Sequence, residues 1–273
     1  MQEQATAFKE ETDALYALLE PLKESDWSRP TLFKGWTIND VIAHVHGGNI
    51  SADLSLNDRA AYDRMKADRA RLAEEQKLDN REATNVWLGN VQGRALLKLW
   101  YELCQKLARD FAVADPKKRV PWAGREMSAR SSISARLMEH WAHGQEIYDV
   151  LGKDRVSTDR IRNIVVLGIN TFGWTFNNRK MTPPPVRPRV RLTAPSGAIW
   201  EFNSEPADTA GELIEGSAVE FCQVVAQTRN IADTRLKVTG ESARLWMSLA
   251  QCFAGVPRTP PAPGTRYKQV LNG

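Results

Sequence analysis

Apolar residues recur at helical spacing through the first two thirds of the chain and at strand spacing only later. From Ala5 to Lys23, Phe8, Leu15, Leu18, Leu19 and Leu22 fall on one face with charges opposite, which predicts an amphipathic helix. Asp26-Trp27-Ser28-Arg29-Pro30 breaks that pattern. A second helix is expected after Trp36. Thr37 is its N-cap, Asp40 three residues on makes a variant capping box, and Ile38, Val41, Ile42 and Val45 form its apolar stripe. Residues 58–78 are highly charged and read as an exposed helix. A long helix is expected from Arg81 to Phe111, with Val86, Trp87, Leu96, Leu97, Trp100, Leu103 and Leu107 on its core face. Residues 117–128 read as a loop centred on Pro121-Trp122-Ala123-Gly124. Further helices are expected over Ser131–Leu151, stopped by Gly152, and over Asp159–Asn177.

The texture then changes. Met181-Thr-Pro-Pro-Pro-Val-Arg-Pro188 is a stiff, proline-rich connection and marks the expected domain boundary. After it Arg189–Thr193 and Ala198–Phe202 alternate around the turn Ala194-Pro-Ser-Gly197, a β-hairpin signature. A helix near Ser217–Gln227, a strand over Arg235–Thr239 and a helix near Ser242–Phe253 follow, and the Pro- and Gly-rich tail from Pro257 reads as pliable. The expected fold is mainly α, with a helical bundle over residues 1–182 and a smaller α+β domain over 183–273.

Composition narrows the function classes. The 273 residues are 42% hydrophobic and 26% charged, ordinary for a chain that buries a real core. A formal charge of +4, with Lys and Arg scattered among Asp and Glu, argues against a nucleic-acid surface. Cys104, Cys222 and Cys252 are far apart and lie in apolar helical contexts. They read as buried free thiols, too dispersed for a zinc cluster. The N-terminal segment is charged and amphipathic, and no apolar run approaches the roughly 20 residues that span a bilayer. The expectation is a cytoplasmic protein with neither membrane nor nucleic-acid partners, acting on a small molecule.

The candidate chemistry lies in the histidines. There are four, His44 and His46 in one cluster and His140 and His143 in another. Glu139 and His143 are four apart and so share a helix face, where a carboxylate and an imidazole can chelate a divalent ion. His140 is rotated by roughly 100° from Glu139. A further ligand from the other cluster would complete a site of two histidines and one carboxylate. His44 and His46 stand roughly 200° apart and flank the apolar stripe on opposite sides, so spacing leaves the choice between them open. There is no HExxH, and Arg136-Leu-Met-Glu139-His140 lacks the first histidine of HxxEH.

Two stretches carry a resemblance. GWTINDVIAHV, residues 35–45, resembles the start of the second helix in the DinB-like metal-binding bundles, and RLMEHWAHGQEIYDVLG, residues 136–152, resembles their later ligand helix. Within that group the chain is similar to the mycothiol-dependent maleylpyruvate isomerase-like family, over nearly its whole length. After residue 183 only the texture and the Ala-Pro-Ser-Gly turn match. The resemblance implies a four-helix bundle with a small C-terminal α/β domain. It implies His44, Glu139 and His143 as metal ligands, with Asp40 and Glu146 supporting them from behind or packing the helices. Trp36 would be a packing residue. His46 and His140 match no ligand, and His140 is expected at the surface or facing substrate.

Two imidazoles and one carboxylate leave an open position on zinc, the catalytic pattern, although Fe(II), Ni(II) or Mn(II) suit the same set. In the resembled isomerase a small thiol, mycothiol, works beside zinc. Its thiolate adds to a cis-enoyl double bond, the carbon–carbon bond rotates, and the thiolate leaves; related bundles transfer thiols. An anionic substrate would call for cations, and Arg125, Arg130, Arg136, Arg189 and Arg191 are the candidates. The leading expectation is a metal-dependent isomerase or thiol transferase using an external thiol. The alternatives are a metal-dependent hydrolase, a non-catalytic metal-binding or stress protein, and a bundle whose histidines merely pack.

Overall fold

In a computed structural model, residues 1–122, 125–204 and 211–270 are described, Arg125 by its backbone alone. They form two compact units, Met1–Leu151 and Gly152–Gly273.

The first unit is a helical bundle. Helices α1 (Gln2–Leu19), α2 (Ile38–Asn57), α3 (Arg59–Glu75), α4 (Asn80–Trp87) and α5 (Gly93–Val113) are followed by strands β1 (Arg119–Trp122) and β2 (Arg125–Ser128), then α6 (Ala129–Val150). α1 and α2 each pack on both α5 and α6, which makes the four-helix core, and α3 and α4 cover α2 from outside. Phe8, Leu15, Leu19, Ile38, Val41, Ile42, Val45, Trp100 and Trp141 are buried in it. α1 stops at Leu19 because Pro21 has no amide to continue the ladder, leaving Leu22 outside the helix and half-buried.

The start of α2 is fixed as the sequence predicts. The Thr37 hydroxyl accepts from the Asp40 amide at 3.1 Å, and the Asp40 carboxylate accepts from the Thr37 amide at 2.9 Å and its hydroxyl at 2.8 Å. Asp40 also accepts from Asn85 Nδ2 at 2.8 Å and faces Arg81 Nη1 at 3.4 Å, which pins α4 to this helix start. Burial pushes its carboxyl pKa up, but the bonds from Thr37 and Asn85 and the Arg81 charge together hold it below the usual value.

Two expectations in this unit need correction. The helix expected over Arg81–Phe111 is two helices, α4 and α5. Gly89 and Asn90 sit at φ +72° and +54°, left-handed positions that end α4, and their amides return to Val86 and Asn85 carbonyls. The loop expected over 117–128 is a hairpin, with Arg119 opposite Ser128 and Val120 opposite Met127. Ala123 and Gly124, at the centre of the expected loop, lie outside the described residues.

The second unit holds α7 (Arg162–Asn170), α8 (Phe172–Asn177), β3 (Arg189–Thr193), β4 (Ile199–Phe202), β5 (Leu213–Ser217), α9 (Ala218–Val225), β6 (Lys237–Thr239) and α10 (Glu241–Leu249). The hairpin β3–β4 forms as expected, with Leu192 opposite Trp200. β5 pairs parallel with β3 and antiparallel with β6, giving the strand order β4-β3-β5-β6. Val190, Leu192 and Ile214 are fully buried, as is Phe221, and Phe172, Phe221 and Trp246 meet edge to face. The helix expected over Asp159–Asn177 is interrupted at Thr171, whose hydroxyl donates to the carbonyls of Leu167 and Gly168, both at 2.9 Å.

The expected boundary at 182/183 differs from the break between the compact units at 151/152. α7 packs on α9 and α8 on α10, so these two helices share the core of the C-terminal unit. A Cβ at Gly168 would meet Val225 Cγ2 at 2.9 Å, so glycine there lets α7 and α9 come close. The tail expected to be pliable is tied down: the Arg258 carbonyl accepts from Arg179 and Gln227, the Pro261 carbonyl from Asn230, and the Gly264 amide donates to Asp233.

Asp40→Ala removes a buried helix cap and its two cross-helix partners. It should lower the unfolding free energy by about 1–3 kcal/mol. Lys98→Ala, which breaks only the exposed pair with Glu102, should cost under about 0.5 kcal/mol. Urea unfolding of the two variants checks the difference, and equal losses would contradict it.

Candidate metal centre

α2 and α6 lie side by side, and each brings ligands to the same place. His44 stands one turn beyond the capping Asp40. Glu139 and His143 are one turn apart on α6, as the spacing predicted. Glu139 Oε2 is the meeting point: His44 Nε2 is 3.4 Å from it and His143 Nε2 3.5 Å. One ligand atom from each residue lies within 4.8 Å of the others. Ligand atoms about 2.0–2.1 Å from one tetrahedral ion stand about 3.3 Å from each other. The two contacts to Glu139 already have that spacing, and the imidazole nitrogens, within 4.8 Å, would draw together on a divalent ion.

His46, the alternative, points away. It is 6% exposed, its Nδ1 finds no hydrogen-bond partner among the described residues, and burial pushes its pKa down to about 4. The roughly 200° between the two positions turns His46 away from the face that carries His44.

An aromatic wall closes one side of the triad. The Trp36 ring stacks parallel to His143 with centroids 6.2 Å apart and lies 5.4 Å from His44, and Phe33 meets His143 edge-on at 5.1 Å. Trp36 was expected as packing; what it packs against is the two imidazoles. Lys34 and Gly35, at φ +55° and +68°, form the turn that presents both rings, closed by the Trp36 amide on the Phe33 carbonyl at 2.9 Å. Phe33 has no counterpart in the sequence reading. The signal that marks it is an aromatic pair bracketing a Lys-Gly turn just before a helix cap.

The electrostatics suit metal binding. Burial raises the Glu139 pKa, but the contacts with His143 and His44 and the charge of Arg136 outweigh it and hold the carboxyl well below its ordinary range. Burial, then His44, lowers the His143 pKa against the opposing pull of Glu139, so the ring is a neutral imidazole, the ligating form. Arg136, one turn before Glu139 on α6, is 2% exposed, with Nη2 3.9 Å from Glu139 Oε2. Gly48 on α2 makes room for it: a Cβ there would collide with Arg136 Nη1.

His140, expected at the surface or facing substrate, is fully buried behind the centre. Its Nδ1–H donates to the Arg136 carbonyl at 2.7 Å, which leaves Nε2 to accept from Trp100 Nε1 at 3.1 Å and Asn49 Nδ2 at 3.2 Å. Burial and the Arg136 charge push its pKa down to about 3. Of the other expected residues, Asp40 is the helix cap and Glu146 is buried on α6. Among the candidate arginines whose side chains are described, only Arg136 reaches the triad. Arg189 and Arg191 pair with Glu201 in the C-terminal unit, Arg130 is exposed, and the Arg125 side chain lies outside the described residues.

A helical bundle with two histidines and a glutamate converging between two of its helices defines a class of candidate metal-binding enzymes, and comparison with known proteins gives the family. Residues 8–148 match the family model of the mycothiol maleylpyruvate isomerase N-terminal domain, and the chain belongs to that family. It is 34% identical over 247 residues to uncharacterized proteins from two Mycobacterium tuberculosis strains, CDC 1551 / Oshkosh and H37Rv, covering 90% of this chain and 93% of each relative. Crystal structures of the mycothiol-dependent maleylpyruvate isomerase, and of a histidine-to-alanine mutant of it, share the fold. Their TM-scores are 0.50 and 0.51 at 18% and 17% identity, over 82% of this chain and 88% of each of theirs. No helix among the described residues is long and apolar enough to cross a membrane.

The buried histidines predict a pH response. The folded pKa values of His46 and His140 lie below the unfolded value of about 6.5, so the unfolded chain binds the extra protons. Stability contributed by the neutral rings is complete above about pH 6.5 and is lost as pH falls toward the folded values. The loss should reach about 1.4 kcal/mol per pH unit for each ring. Denaturant unfolding of chelator-treated protein from about pH 7 to 5 measures it. His46→Gln should remove one proton from the slope, and an unchanged slope would contradict the assignment.

Proposed function

We propose that this protein is a thiol-dependent isomerase or thiol transferase acting on a small unsaturated acid, with a divalent metal, zinc by preference, held by His44, Glu139 and His143. The convergence of three ligand atoms within 4.8 Å, in a family named for a mycothiol-dependent isomerase, carries the reading. Three protein ligands leave a tetrahedral ion one open position, the mark of catalytic rather than structural sites. A metal held by these three residues would supply the Lewis acidity that makes a thiolate available near neutral pH.

The chain's own residues do the rest. Glu139 offers a carboxylate already ionised, and His143 offers a neutral ring, so neither must first lose a proton. Trp36 and Phe33 hold the imidazole of His143 in place and shield that side from water. The chain does not supply the thiol. Cys104, Cys222 and Cys252 are all buried, and burial pushes the Cys104 and Cys222 thiols well above their ordinary pKa. The nucleophile is therefore an external low-molecular-weight thiol, of which mycothiol is the family's example.

The same ligand set suits a metal-dependent hydrolase, and thiol dependence separates the two readings. Zinc-loaded protein incubated with maleylpyruvate should isomerise it only when mycothiol is added. Glu139→Gln should reduce turnover by more than the roughly 10–100-fold typical of losing a partner outside the ligand set. Ester cleavage that proceeds without any thiol, with no thiol-dependent isomerisation, would overturn the proposal in favour of hydrolysis.

A further inference from the structure

Arg136 is the feature that metal ligation does not explain. Its side chain is 3% exposed, and two of its donors, Nε and Nη2, are buried without a hydrogen-bond partner among the described residues. Glu139 Oε2, at 3.9 Å from Nη2, is beyond hydrogen-bond reach and already faces two imidazoles. Nε and Nη2 form one edge of the guanidinium, the edge that grips a carboxylate with two parallel hydrogen bonds. Two neighbours position the group. The Trp122 ring lies 5.7 Å from its central carbon, and Gly48, without a Cβ, leaves room for Nη1. Side-chain exposure rises from 3% at Arg136 through 13% at His143 and 18% at Glu139 to 30% at His44, so Arg136 is the most buried member of the cluster and His44 the nearest to solvent.

Charge points the same way. A buried guanidinium beside a site for a divalent cation leaves one carboxylate facing three positive charges. Such a site is completed by an anion.

We propose that Arg136 is an anchor for the carboxylate of a small anionic ligand, gripped by the Nε–Nη2 edge beside the candidate metal centre. The choice of an unsaturated acid as that ligand rests on the isomerase reading; the anion subsite itself does not. Arg136 would then set specificity for acids over their neutral analogues.

Calorimetric titration with maleate, on both zinc-loaded and metal-free protein, tests this. Wild type should bind maleate and not its neutral diamide. Arg136→Gln should weaken maleate binding at least tenfold in both forms while still holding one equivalent of zinc by elemental analysis. Gly48→Ala, which drives a methyl into Nη1 but keeps the charge, should weaken it as well, and it decides the matter alone if Arg136→Gln fails to fold by circular dichroism. Unchanged maleate affinity in the folded variants, or no maleate binding by wild type, would overturn the proposal. Arg136-dependent maleate binding by a protein that takes up no zinc would support the anion subsite and sink the metal reading instead.

Discussion

One carboxylate oxygen organises the first unit. Glu139 Oε2 is approached by His44 from α2, by His143 from one turn further along α6, and by Arg136 from one turn before. Placing so many ionisable groups in a bundle interior is costly, because burial opposes every charged form. The arrangement persists because the charges compensate: the imidazoles and the guanidinium keep the carboxylate ionised, and the carboxylate offsets the buried cation. A divalent ion suits this geometry better than the imidazole–carboxylate contacts alone, which at 3.4 and 3.5 Å are long for hydrogen bonds.

The surroundings follow from that requirement. α2 must present His44 at the right height, and the capping box at Thr37 and Asp40 fixes where the helix begins. α2 and α6 run close enough for His44 to meet Glu139 and His143. Gly48 serves this by admitting the Arg136 side chain, and Gly47 lets Thr84 of α4 approach to 3.1 Å of where its Cβ would be. Behind the ligands, His140, Trp100 and Asn49 form a neutral hydrogen-bonded layer with Cys104 against it, which fixes the ring of His140 in one tautomer.

Much of this was legible in the chain. The i, i+4 spacing of Glu139 and His143 put them on one face. The Thr-x-x-Asp signature at 37–40 located the start of α2, and the Ala-Pro-Ser-Gly turn located the hairpin β3–β4. What spacing left open was the choice between His44 and His46, because both flank an apolar stripe on a helix that is covered on several sides. The Trp36 turn and the burial of His140 depend on residues from other helices, which periodicity cannot report. The break between α4 and α5 was hidden by apolar residues that continue in register across Gly89 and Asn90. β5 was missed because it pairs parallel with β3, and parallel pairing leaves no turn signature in the local sequence. The boundary shifted for a similar reason: the prolines at 183–185 look like a linker, yet α7 and α8 before them pack into the C-terminal core.

The geometry divides the four histidines, with His44 and His143 beside Glu139 at the candidate metal centre and His46 and His140 buried away from it. Elemental analysis of untagged protein tests it most directly, with wild type, Glu139→Ala, His143→Ala and His46→Gln compared. Wild type and His46→Gln should each hold about one equivalent of a divalent metal, and Glu139→Ala and His143→Ala none. Metal content that survives loss of Glu139 and His143, or a wild-type protein that takes up no metal even after reconstitution, would contradict it.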